Sequence, residues 1–211
     1  MIISFLRYLD TRTEEYDTIN EKEWGSLKRV APVLSDRLKK HGSGAGWTVI
    51  HGDYKATNLM YGESRKDVYG CNFSKCAGLD YQYTGGGYGA RDLVMLIVCG
   101  CRLDRDDMEA GLDAETDVLL LYYQCLCEEL STREDGEELL QEYSMSLLRG
   151  QYELALMDLV RFLAGWGMWG NSNYACQRVK ALLHALDRGE ILSEEQYRDA
   201  LERQYPLSFL Y

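Results

Sequence analysis

The sequence predicts an α+β fold that is predominantly helical, with a small strand cluster in its first half. Three observations predict it. Apolar residues recur at three- and four-residue intervals over about residues 20–40 and again after residue 92. Between those stretches, residues 47–83 divide into short strand-like runs bounded by glycines. Two prolines in 211 residues, Pro32 and Pro206, leave little room for linker or disordered composition.

Taken in order, "EKEWGSLKRVAPVLSDRLKK" spaces Trp24, Leu27, Val30, Leu34 and Leu38 along one face, as a helix or a helix pair around Pro32. "HGSGAG" ends it. "WTVI" and "NLMYG" read as strands entering and leaving a loop. "ESRKDVYGCNFSK" reads as a polar hairpin and "CAGLDYQY" as the returning strand. "TGGGYGA" is expected to be a flexible loop before an apolar helix beginning at Arg91 and Asp92. The remaining segments, "DAETDVLLLYYQCLCEEL", "GEELLQEYSMSLLRG", "YELALMDLVRFLAGWGMWG", "YACQRVKALLHALDRG" and "LSEEQYRDALERQY", read as helices. The last opens on a capping-box pattern, Ser193 with Gln196.

The charge balance is 23 Lys+Arg against 34 Asp+Glu, a net −11. It excludes nucleic acid and anionic membrane as main partners, since both need a basic face. It is compatible with a cationic small substrate. The longest apolar run, "LVMLIVCGC", is about half of the ~20 residues a membrane span needs. "MIISFLRYLD" lacks the basic start and unbroken apolar core of a secretory signal, so a cytoplasmic protein is expected. Seven cysteines cannot all pair with one another, and reduced thiols are expected. The pairs "CGC" and "CLC" lie on expected helices that point their thiols apart, so buried thiols are preferred to a zinc site.

The chemistry concentrates in "HGDYKATN", residues 51–58. Phosphoryl transfer needs an acid to orient and deprotonate a hydroxyl, oxygen ligands for Mg²⁺, and a cation near the transferring group. Asp53 is the candidate base, Lys55 the candidate phosphate contact and Asn58 a candidate metal ligand. "GLDYQ" adds Asp80 after a strand end as the second metal ligand, and Mg²⁺ asks for only a few hard oxygens beside its waters. His51 is expected to support the loop from beneath. Trp166 and Trp169, with Tyr122 and Tyr123, form a candidate aromatic cage, though core packing is the plainer expectation. "TGGGYGA" does not match a nucleotide-binding glycine fingerprint.

The pattern H-G-D-Y-x-x-x-N followed by D-Y-Q resembles the protein-kinase catalytic loop H-R-D-L-x-x-x-N and its D-F-G. Gly52 in place of arginine makes it most similar to the aminoglycoside phosphotransferase and choline kinase superfamily. "DYQ", "GARDL" and "ALMDLVRFLAGWGMWGN" resemble the ecdysteroid-kinase-like (choline/ethanolamine kinase-like) members. The resemblance spans about residues 20–200. It implies the C-terminal lobe of a protein-kinase-like fold and an ATP- and Mg²⁺-dependent transfer to a small-molecule hydroxyl. Asp53 would then be the catalytic base, Asn58 and Asp80 the metal ligands, and Asp92 a structural acid bracing the loop. It also divides the chain into a helical linker and lobe start (1–45), a catalytic loop and metal-binding hairpin (46–92) and a helical substrate-side part (93–211), within one domain. The family's N-terminal lobe has no counterpart before residue 47. The expectation is therefore a fragment of a complete kinase, or a lobe completed by a separate N-lobe chain. The alternative is a non-catalytic ligand- or partner-binding module derived from the same lobe.

Overall fold

The computed structural model describes residues 9–39, 46–66 and 72–206. They are mostly helical, with two small two-stranded sheets. Helices α1 (Thr13–Asp17) and α2 (Glu21–Lys39) lead to strand β1 (Trp47–Ile50). Strands β2 (Leu59–Lys66), β3 (Asn72–Gly78) and β4 (Gly85–Tyr88) follow. Among the described residues six α-helices follow: α3 (Ala90–Cys99), α4 (Met108–Ser131), α5 (Gly136–Glu142), α6 (Met145–Trp166), α7 (Ser172–Asp187) and α8 (Glu194–Gln204).

Helix α6 is apolar on nearly every side and is buried along most of its length, as a central helix should be. Helices α2, α3 and α7 pack around it. Leu27, Val30 and Leu34 of α2, Val94 and Ile97 of α3, Leu156 and Val160 of α6, and Val179 of α7 are all excluded from solvent and form the core.

Proline 32 does not divide α2; the non-helical residue is Trp24, at φ −122° and ψ 24°. A proline inside a helix deprives the carbonyl four residues back of its donor. Here that carbonyl belongs to Lys28, and the Tyr16 hydroxyl donates to it at 3.0 Å. The orphaned acceptor is satisfied by a side chain from α1, and the helix continues.

Three further expectations need correction. "TGGGYGA" is not a flexible loop: Gly85–Tyr88 form β4, wholly buried and antiparallel to β1, with Trp47 opposite Tyr88 and Ile50 opposite Gly85. A side chain at Gly87 would meet Ile50 Cδ1 at 2.6 Å, so the glycines make room for β1 to fold its isoleucine over its partner. The strand in "CAGLDYQY" stops at Gly78, and Tyr81–Tyr83 form a 3-10 turn. "GEELLQEYSMSLLRG" is two helices, parted where Ser144 caps α6 by accepting from the Leu147 amide at 3.1 Å. The capping box of α8 is present with both of its hydrogen bonds. The hairpin turn at 67–71 and most of "HGSGAG" lie outside the described residues. Among the described residues no helix is long and apolar enough to cross a membrane.

The helical part is tied together by a buried polar network. Glu115 of α4 accepts from Tyr174 Oη (2.7 Å) and from Arg178 Nε and Nη2 (both 3.1 Å) of α7, and the Tyr152 hydroxyl of α6 meets that of Tyr174 at 3.0 Å. An acid this deep is tolerable because every part of it is paired.

Two expectations about stability follow from these contacts. Tyr16→Phe should cost about 1 kcal/mol by stranding the Lys28 carbonyl. Pro32→Ala, which restores a backbone donor, should remove most of that penalty in the double variant; additive losses in denaturant melts would contradict it. Burial pushes the hydroxyls of Tyr143, Tyr152, Tyr174 and Tyr205 well above the usual tyrosine range, and that of Tyr197 up to about 12. An unfolded tyrosine ionises near pH ~10, so above that value the unfolded chain sheds protons the folded chain keeps. Stability is full below that pH and declines as pH rises towards the folded values. The melting temperature should therefore be lower at about pH 11 than at about pH 9, and an equal value at both would contradict the burial.

Candidate functional site

The loop between β1 and β2 is held from three directions. Asp92, in the first turn of α3, accepts the backbone N–H of His51 at 2.7 Å with one carboxylate oxygen and that of Gly52 at 3.0 Å with the other. The helix N-cap residue is Gly89, and Asp92, at the third position of α3, turns both carboxylate oxygens to the loop. Gly52 sits at φ +83°, a conformation that costs other residues strain and glycine almost nothing.

The second hold is the imidazole of His51. Its Nδ1 accepts the Asp53 amide at 3.3 Å, which leaves Nε2 to carry the proton and donate to the Leu79 carbonyl at 2.8 Å. The ring lies between Tyr54, edge-on at 5.7 Å, and Tyr81, tilted at 4.8 Å. The histidine thus fastens the loop to the segment carrying Asp80, in the supporting role expected of it. Desolvation raises the Tyr54 hydroxyl above its ordinary value and keeps that neighbour neutral.

The third hold is Asn58. Its amide donates to the Asp53 carbonyl at 2.9 Å and to Asp53 Oδ2 at 3.1 Å, while Lys55 Nζ lies 2.8 Å from the same Oδ2. Asp53 is 5% exposed, so its carboxylate faces these two partners more than water. The side-chain Oδ1 of Asp53 and that of Asn58 have no hydrogen-bond partner among the described residues. The Leu79 amide donates to the Asn58 carbonyl at 2.8 Å, continuing the β2–β3 ladder and setting Asp80 beside the loop. Asp80 takes the left-handed conformation, φ 59° and ψ 59°, and is exposed; among the described residues its side chain meets only Gln82, in a long 3.5 Å bond.

Asp53, Lys55 and Asp80 line one cleft of about 270 Å³. The rest of its lining is largely apolar and aromatic: Met95 of α3, Leu159 and Phe162 of α6, and Trp166 and Trp169. The loop bearing Trp169 is held by Asn171, whose side chain donates to the Ile97 carbonyl at 2.7 Å and the Cys101 carbonyl at 2.9 Å, closing the C-terminal end of α3. The Asp53 loop and the loop bearing Trp169 are therefore both referred to α3, while Leu159, Phe162 and Trp166 belong to α6. Arg12, Gln82 and Tyr83 complete it.

Comparison of the chain with family models, with curated proteins and with solved structures finds no match.

All four sequence-selected residues meet at the loop: Asp53, Lys55 and Asp80 in the cleft, and Asn58 just beneath, buried against Asp53. The aromatic cage is brought together only in half. Trp166 and Trp169 line the cleft, whereas Tyr122 and Tyr123 do not; Tyr123 donates to the Tyr143 carbonyl at 3.2 Å instead. Arg12 escaped sequence reasoning because it belongs to no motif; Phe162 lies within the segment "ALMDLVRFLAGWGMWGN", one turn before Trp166, but was not singled out. A larger groove of about 560 Å³ between α7 and α8 offers no comparable chemistry, since its buried acid, Asp187, is already engaged by Tyr197 Oη at 2.7 Å and the Gly189 amide at 2.8 Å. Among the described residues no three His, Cys, Asp or Glu side chains converge as a dedicated metal centre.

Asp92→Asn replaces one of two acceptor oxygens with a donor facing a donor. It should cost about 1–3 kcal/mol and speed hydrogen exchange at the His51 and Gly52 amides. Unchanged protection at both amides would show that the carboxylate does not hold the loop.

Proposed function

We propose that the chain is the substrate-side lobe of a kinase-like phosphotransferase, moving the γ-phosphate of ATP to a hydroxyl of a small molecule. The observation that carries this is the buried Asp53 carboxylate, with one oxygen gripped by Lys55 and Asn58 and the other without a partner among the described residues, in a cleft also lined by aromatic side chains. A fixed carboxylate with a free oxygen suits a group that orients and deprotonates a hydroxyl, and general-base help of this kind contributes roughly 10²–10⁴-fold. Lys55, half-buried and flexible, is placed to follow negative charge from Asp53 to a phosphate.

Mg²⁺, carried in with the nucleotide, would neutralise phosphate charge. The residues suit it: the unpartnered Asn58 Oδ1 and the loosely held Asp80 carboxylate are hard oxygens, and Mg²⁺ commonly takes one or two protein ligands and keeps its waters. Among the described residues no strand precedes Trp47. A second reading, a ligand- or partner-binding module, is favoured by the exposed apolar side chains Val49, Met60, Tyr61, Leu79 and Tyr81 around the loop.

The two readings diverge in a thermal-shift titration. Millimolar ATP should raise the melting temperature only with Mg²⁺, and Asp80→Asn should remove the rise. No shift with any nucleotide would favour the module. Where turnover is measurable, Asp53→Asn should lower kcat by at least about 10²-fold with circular dichroism unchanged. Retained turnover would remove Asp53 from its role.

A further inference from the structure

The aromatic wall already carries a cation of the protein's own. The Arg12 guanidinium carbon lies 5.3 Å from the Trp166 ring centre and 5.9 Å from that of Phe162, and these two rings are themselves stacked at 5.6 Å. Both distances fall within the reach of a cation–π attraction. Arg12 lines the same cleft as Asp53 and Asp80.

Its placement is built in. Arg12 Nη1 is ion-paired with Glu15 at 3.1 Å, and both side chains are largely shielded from solvent. Helix α1 is fastened to α6 by Thr18, whose hydroxyl donates to the Gly165 carbonyl at 3.0 Å. Gly165 has no side chain to keep the Glu15 carbonyl away, so the two backbones touch where any larger residue would part them. The Tyr16 bond to Lys28 anchors α1 from the other side.

We propose that Arg12 is a specificity-determining residue: it occupies the Phe162–Trp166 pair and bars positively charged acceptors from the cleft. This deepens the phosphotransferase reading and rests on it for the word acceptor. Aromatic faces beside acids would otherwise suit an onium or ammonium group, and the net charge of −11 would draw one in. With Arg12 on the rings and Lys55 beside Asp53, such a group meets two like charges and finds the best aromatic position taken. The acceptor that fits carries no positive charge near its hydroxyl.

Tetramethylammonium is the probe, titrated at constant ionic strength and followed by tryptophan emission and ligand-methyl saturation transfer. The wild-type chain should show no saturable binding. Arg12→Ala should bind about tenfold or more tighter, and Trp166→Leu added to it should abolish the gain. If Arg12→Ala loses its fold by circular dichroism, Arg12→Gln decides by the same criteria, since it keeps a hydrogen-bond donor for Glu15 without the charge. Equal binding by wild type and variant, or no gain in a folded variant, overturns the proposal. Because the readout is binding, it separates the two ideas. A gain of onium binding in a chain that transfers no phosphate sustains Arg12's role at the cleft and refutes the kinase reading, whereas phosphate transfer to a quaternary ammonium alcohol by wild type does the reverse.

Discussion

One carboxylate sets the geometry of the whole site. Asp92 reaches back 41 residues to His51 and 40 to Gly52, and with its two oxygens fixes two successive peptide planes. Charge-assisted bonds of this kind are among the stronger single contacts a fold can make, and these are largely shielded from water. The direction in which Asp53 leaves the loop follows from those planes. The His51 ring, locked in one tautomer, passes the constraint on to Leu79 and so to Asp80.

Helix α3 is the common reference for the Asp53 loop and the Trp169 loop. Its N-terminal turn carries Asp92, its middle supplies Met95, and its C-terminal carbonyls are held by Asn171, next to the loop that bears Trp169. The Asp53 loop and the Trp169 loop are thereby fixed against one rigid element, and the Phe162–Trp166 pair rides on its neighbour α6. Rigid support of this sort is what a reactive group needs, because misplacement by about 1 Å is costly to catalysis. The central α6, closed in by α2, α3 and α7, gives that element its footing.

The loop residues were legible in the sequence because their spacing expresses a local constraint: a short strand, a turn, and an amide five residues after an acid. Asp92 was legible through the same pattern. Strand β4 was not, because glycine runs ordinarily mark loops, and what makes Gly85–Tyr88 a strand is the shape of its partner, Ile50 over Gly87. The continuity of α2 through Pro32 was equally hidden, since a tyrosine 16 residues before the proline supplies the missing partner. Arg12 lies 154 positions from Trp166, and no local pattern announces a contact that depends on how α1 docks. Tyr122 and Tyr123 were grouped with the tryptophans by type alone, and helix α4 turns them elsewhere. What was readable was local; what was missed is tertiary.

The central claim is that Asp53, Asn58 and Asp80 form one metal–nucleotide site on this loop. The most direct measurement is paramagnetic broadening of backbone amide resonances on adding Mn²⁺ with ATP to the isotope-labelled chain. The account predicts that the amides around Asp53, Asn58 and Asp80 broaden first, and that Asp80→Asn suppresses the effect. Broadening confined to other acidic surfaces, with the loop amides untouched, would contradict it.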